Sequence, residues 1–280
     1  MTAFIVDTKI PAKAYYFTEQ LEGLDNAIPL DMIYIEGERF AMGASEDEPE
    51  AGEDEKPQHE VNVQNFFMGR YPITQAQWRV VAQWQKKKIN LDPYPSRFKG
   101  DNLPVEKVSW YEAVEFCERL HARTKRPYQL PSEAQWEYAC RAGTTTPFAL
   151  GQTLTTEIAN YDGNYTYNGG KEGEYRQKTT PVDHFGIANG YGLCDMHGNV
   201  WEWCADHWHG NYEDAPSDDK PWLSENEDAR RLVRGGSWIL APRDCRSAFR
   251  LSFGTPGSRD FFSGFRVSCH APRTLKLPVS

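Results

Sequence analysis

Residues 234–267 read RGGSWILAPRDCRSAFRLSFGTPGSRDFFSGFRV, and this stretch decides what kind of fold the chain can adopt. Seven of its large apolar residues, Ile239, Leu240, Phe249, Leu251, Phe253, Phe261 and Phe262, follow neither period 2 nor period 3.6. A half-buried strand alternates, and an amphipathic helix repeats every three to four residues. The stretch therefore predicts short elements joined by loops.

Helical periodicity is missing from about 145 to 271, where short aromatic pieces alternate with Asn-Gly, Gly-Gly and Pro turns. Tyr161 to Gly170 reads as a loop rich in oxygen ligands. Earlier in the chain three helix starts stand out: Thr74-x-x-Gln77, Ser109-x-x-Glu112 and Ser132-x-x-Gln135. Each fits a capping box, in which the hydroxyl takes the third amide and the third side chain returns to the cap amide. The second helix is expected to end near Arg123, and the third to be stopped by Gly143. Ala3–Val6, Met32–Ile35, Arg39–Met42 and His59–Val63 read as strands, the middle two as a pair turned at Glu36-Gly37. Glu46 to Glu55 is acidic and reads as a solvated loop. No internal repeat or linker is visible. The expected organisation is an extension over 1–30 packing on one α+β domain over 31–271, with a tail over 272–280.

The 280 residues include 39 % hydrophobic and 13 % aromatic residues, enough to build a core and to exclude full disorder. Net charge is −9, which disfavours non-specific nucleic-acid binding. Mean hydropathy is −0.69, and no apolar run approaches 18 residues, so membrane insertion is not expected. The N-terminus has no basic segment ahead of an apolar stretch, so a cytoplasmic location is expected. The six cysteines form no Cys-x-x-Cys pair, which suits reduced thiols, with a Cys245–Cys269 bridge left open. Cys204, His207 and His209 match no usual zinc spacing and read as aromatic packing with surface histidines.

Four segments together carry a family signal: Tyr71-Pro-Ile-Thr-Gln-Ala-Gln-Trp78, Leu130-Pro-Ser-Glu-Ala-Gln-Trp-Glu-Tyr-Ala139, Gly198-Asn-Val-Trp-Glu-Trp203, and Arg234-Gly-Gly-Ser-Trp238 with Gly264-Phe-Arg-Val267. In this order they resemble the formylglycine-generating-enzyme, or sulfatase-modifying-factor, family from about residue 31 to 271. The resemblance implies a C-type-lectin-like fold, loop-rich with a few helices and small twisted β-sheets. Active members of the family are copper-dependent oxygenases that convert a sulfatase cysteine to formylglycine. Their pattern sets two cysteines in Cys-His-x-Ser-Tyr-Cys just after Gly-Gly-Ser-aromatic, because two soft thiolates hold Cu(I) and one exchanges with the substrate thiol. Here only Cys245 stands in that window, and Ile239 to Ala241 offer no ligand. Copper is not expected, and no catalytic residue is assigned.

The resemblance also implies structural calcium. One site maps to the Asp195 and Glu202 carboxylates with the Gly198 and Val200 carbonyls. A second maps to the Asn160 side chain, the Tyr161 carbonyl, an acid near Glu174 and the Arg176 carbonyl. Ca²⁺ takes such oxygens at turns. The competing reading makes Asp195 and Glu202 ordinary surface acids or caps.

Finally, the stretch from Arg234 resembles the variable region of diversity-generating retroelement proteins, many of which use this fold. Fixed-looking residues alternate with thirteen substituted ones: Ile239, Leu240, Ala241, Asp244, Phe249, Leu251, Ser252, Phe253, Gly254, Ser258, Asp260, Phe261 and Phe262. Randomised adenines turn Asn codons into NNY codons, which cannot encode Trp, Met, Lys, Glu or Gln, and none of the thirteen is one of these. The expected function is non-catalytic binding of a protein or other macromolecular ligand through the 239–262 surface. Two alternatives stand beside it: a formylglycine-generating oxygenase with an altered site, and a family domain that binds a partner without diversification. A third possibility places the apolar residues in the core of a terminal strand pair.

Overall fold

The computed structural model describes residues 14–25 and 27–271. The strand expected at Ala3–Val6 and the tail at 272–280 lie outside the described residues.

In chain order the elements are β1 (Tyr16–Glu19), β2 (Leu30–Ile35), β3 (Arg39–Met42), β4 (His59–Asn62), β5 (Phe66–Gly69), α1 (Gln75–Ala82), α2 (Trp110–Thr124), β6 (Tyr128–Gln129), α3 (Glu133–Arg141), β7 (Trp201–His207), β8 (Arg231–Arg234), β9 (Arg250–Ser252), β10 (Ser263–Gly264) and β11 (Ser268–His270). They build a five-stranded sheet ordered β1-β2-β5-β11-β6, a four-stranded sheet ordered β10-β7-β8-β9 and the pair β3-β4. Between α3 and β7 the chain runs through about sixty residues of turns and loops, as the lost periodicity requires.

All three capping boxes form. Thr74, Ser109 and Ser132 each accept from the third amide of their helix, and Gln77, Glu112 and Gln135 return to the cap amide. α3 ends one residue earlier than expected: Ala142, not Gly143, begins the left-handed turn, at φ +47°.

Two readings need correction. β2 does not pair with β3, because β1 and β5 already occupy both of its edges and β3 turns to β4 instead. The 46–55 segment is not merely solvated. Glu48 and Glu55 are buried and both grip Arg246, whose charge makes their burial tolerable.

The core carries the family-like aromatic residues. Trp78 stacks on Phe116, and Phe265 meets both edge-on. Trp201 and Trp203, alternating with Glu202 on β7, join this core from the second sheet.

Candidate functional site

Four arginines of the 234–267 stretch are almost wholly buried, and each meets a buried carboxylate. Arg234 pairs with Glu137 and donates to the Ser247, Ala248 and Phe249 carbonyls. Arg246 bonds Glu48 at 2.6 Å and both oxygens of Glu55. Arg250 forms a two-bond fork with Glu133 at 2.8 Å and donates to the Asp54 and His209 carbonyls. Arg266 forms a second fork with Glu202 at 2.6 Å and donates to the Gly69 and Cys194 carbonyls. Planar guanidinium groups suit this double task of neutralising an acid and tying down loop backbone. These hydrogen-bonded charge networks use no side chain of the thirteen substituted positions as a hydrogen-bond partner, although the Arg246 guanidinium lies over the Phe249 ring at 5.7 Å.

Those thirteen positions share one environment. Every one of them, from Ile239 to Phe262, is half-buried. Between them Pro242, Cys245, Arg246, Ser247, Ala248 and Arg250 are buried. The apolar members rest their undersides on the core: Phe249 on Trp201, Phe253 edge-on to Trp203 at 5.0 Å. Their rings also touch one another, Phe253 to Phe262 and Phe262 to Phe261, and Phe261 continues to Trp238. Arg97 covers the Phe261 ring at 4.6 Å. The residues are therefore neither a closed core nor isolated surface side chains. Phe253, Phe262 and Phe261 form one partly exposed run of rings that continues to Trp238, and Phe249 and Phe253 are anchored on the core.

Cys245 lies beneath this surface. Its sulfur is buried, and burial pushes the thiol well above its ordinary range. A Cβ on Gly236 would come within 2.4 Å of the sulfur, at a backbone φ of +76°, so glycine is required there. The Cys245 carbonyl accepts from His197 Nδ1 at 2.8 Å, while His197 Nε2 accepts from the Ala149 amide. The ring is thus neutral, and burial holds it down at about 4. The three residues after Trp238 present only hydrocarbon. A buried thiol with no second thiolate in this window does not fit a two-thiolate copper centre. All six cysteines, including Cys269, are free and buried, so the Cys245–Cys269 bridge is absent.

The residues mapped to cations fall into two groups. Asp195 fits a cation donor: one of its carboxylate oxygens is buried without a hydrogen-bond partner, and burial raises its pKa to about 8. Asn160 fits as well, since its side-chain oxygen is buried and unpartnered while its amide donates to Lys178 and Asn199. The Gly198–Val200 turn joins the two regions. The Gly198 and Asn199 amides donate to the Gly235 and Asn160 carbonyls, and a Cβ on Gly198 would strike the latter at 2.4 Å. Glu202 does not fit as a carboxylate ligand: its oxygens already take Arg266 and the Trp136 indole N–H. Glu174 is exposed and pairs with Arg176 at 3.1 Å. The bridge between Asp162 and Tyr175 nonetheless brings the Tyr161 and Glu174–Arg176 backbones side by side. Among the described residues no group of three or more His, Cys, Asp or Glu gathers at one point.

His207 is buried rather than superficial, accepting the Ser224 amide at 2.8 Å, and His209 stacks on Trp222 at 3.7 Å. Sequence reasoning missed Glu106. It is fully buried, with one oxygen bonded to the Phe98 amide and the other without a partner. It also missed Trp208, half-buried against Arg250 at the edge of the apolar surface. Neither stands out locally, since an isolated Glu or Trp carries no periodic signal.

The sequence matches the sulfatase-modifying factor enzyme 1-like domain over residues 22–271. The chain belongs to that family. Among curated family relatives it is 29 % identical over 281 residues to the serine/threonine-protein kinase pkn1 of Chlamydia caviae, covering 92 % of this chain and 41 % of the kinase. It is 34 % identical over 212 residues to the formylglycine-generating enzyme of Mus musculus, covering 71 % and 53 %. The chain thus spans about two fifths of the length of the first kinase relatives. Among solved structures, PvdO from Pseudomonas aeruginosa superposes with a TM-score of 0.75 at 27 % identity, covering 92 % of this chain and 98 % of PvdO. Treponema denticola variable protein 1 superposes with a TM-score of 0.71 at 23 % identity, covering 91 % and 99 %, which shows a shared fold. No helix among the described residues is long and apolar enough to cross a membrane.

Proposed function

We propose that this family member is a non-catalytic binding protein that displays a diversified surface over residues 239–262. The observation that carries the reading is the environment of the thirteen substituted positions. All are half-buried, while the residues threaded between them are mostly buried and clamped by charge networks. Such a division lets the surface change without unmaking the scaffold. Partly exposed aromatic side chains supply contact area at low entropic cost, as in antibody paratopes. The shared fold with a protein described as a variable protein is in keeping with it.

The test is the DNA around the gene. A near-copy of its 3′ coding end, carrying adenines at the codons of the thirteen positions and lying beside a reverse-transcriptase gene, is the expected result. Absence of any such copy overturns diversification. Incubation with copper and a peptide carrying Cys-x-Pro-x-Arg, read by mass spectrometry, tests the enzyme alternative. Formylglycine formation that Cys245→Ser abolishes would replace the binding reading.

We also infer two structural calcium sites, one using Asp195 with the Gly198 and Val200 carbonyls, the other Asn160 with the Tyr161 and Arg176 carbonyls. Selective binding to the folded state raises thermal stability. Millimolar calcium should raise the Tm and EGTA should reverse it, and no shift removes both sites from the account.

A further inference from the structure

A cleft of about 340 Å³ opens between the 50–55 loop and β9. One wall belongs to the substituted surface, through Asp244, Phe249, Leu251 and Ser252; the other is fixed, through Glu50, Asp54 and Trp208. The charges around it do not balance. Glu55 is consumed by Arg246, and Arg250 by Glu133. That leaves Glu50, Asp54 and Asp244 with Arg243, which is 3.7 Å from Glu50 and 3.5 Å from Asp244. Two carboxylates thus share one guanidinium, and among the described residues no cation makes an ion pair with the third, Asp54. Independently, Ser252 is one of the lining residues, and its hydroxyl oxygen is buried with no hydrogen-bond partner.

From this geometry we infer that the cleft receives a cationic side chain, a lysine or arginine presented by a protein partner. The inference rests on the binding reading above and names the chemistry of its partner. The head group lies among Glu50, Asp54 and Asp244 and can donate to Ser252. The methylene stem packs on Phe249 and Leu251, as long cationic side chains do on apolar surface. Trp208, whose ring already carries the Arg250 guanidinium at 4.6 Å, also lines the cleft. Because Glu50, Asp54 and Trp208 lie outside 239–262, the preference for positive charge persists when the surface residues change. The substituted wall then sets which sequence around the cation is accepted.

The experiment is a ¹⁵N NMR titration of the whole protein with acetyl-Gly-Arg-Gly-amide, following the Trp208 indole resonance. The same peptide with citrulline, which keeps the shape and removes the charge, is the comparison. The arginine peptide should move the resonance saturably and the citrulline peptide should bind several-fold more weakly. Glu50→Gln and Asp54→Asn should each weaken the arginine peptide roughly two- to fivefold, the range of an exposed ion pair. Equal binding of the two peptides, or no movement with either, overturns the inference without recourse to any variant. The outcome separates from that of the DNA test. Arginine binding with no template copy keeps the cleft and removes diversification, whereas a template copy with no arginine binding removes only the cleft.

Discussion

Arg246 and Glu55 lie 191 positions apart and meet through two charge-assisted hydrogen bonds of 2.6 and 2.7 Å. Glu48 adds a third at 2.6 Å. The pair fastens the acidic 46–55 segment to the middle of the substituted stretch, so that the two form opposite walls of one cleft. Removing the guanidinium leaves two buried carboxylates without compensation. Arg246→Ala is expected to cost about 3–5 kcal/mol in urea denaturation. A loss below about 1 kcal/mol would mean that the segment is not held this way.

Surface and framework should separate in stability measurements. Phe265 is fully buried between Trp78 and Phe116, so Phe265→Ala should cost about 3–5 kcal/mol. Phe261→Ser, at a half-buried position, should cost less, roughly 1–2 kcal/mol, because part of its ring is already in water and the site is not enclosed by core. Equal losses for the two would place Phe261 in the core and remove the case for a display surface.

Glu106 should give the protein a pH-dependent weakness. Burial raises its pKa from 4.5 to about 7, so the folded state binds its proton more tightly than the unfolded chain. Stability from this group is therefore undiminished below about pH 4.5 and falls as pH rises towards 7. Glu106→Gln should remove that slope, gaining on the order of 3 kcal/mol relative to the parent between pH 4.5 and 8. Parallel denaturation curves at the two pH values check this, and an unchanged difference would show that the fold does not raise the pKa of this carboxyl.

Thiol chemistry should be silent in the native state. All six cysteines are buried, and burial raises the Cys245 thiol and holds Cys140 up at about 12. A disulfide reagent such as Ellman's should label none within minutes in native buffer and all six in denaturant. Rapid native labelling of Cys245 would mean that its sulfur reaches substrates and would revive exchange chemistry.

The helix starts were legible because a capping box is complete within four residues: Ser132 and Gln135 need nothing else to satisfy the first amides of α3. The neighbours of β2 were not legible. Strand pairing depends on which edges are free, and β1 and β5 take both. For the same reason the 46–55 segment looked solvated, since its local composition says nothing of an arginine near the other end of the chain. Glu202 shows the limit at the candidate cation site. Its type suits a metal ligand, but which atoms its carboxylate faces is a tertiary matter, and it faces Arg266 and Trp136.

By itself the sequence determined the loop-rich α+β class, the capped helices, the family motifs and the missing second cysteine. Each is local, a matter of residue type and spacing over a few positions. Only the tertiary structure decided that thirteen scattered residues are all half-buried, that four buried arginines tie down the backbone between and around them, and that an acidic loop lines a cleft beside some of them. Those relations join residues up to nearly two hundred positions apart, and burial and ion pairing are set by spatial neighbours that no local pattern encodes.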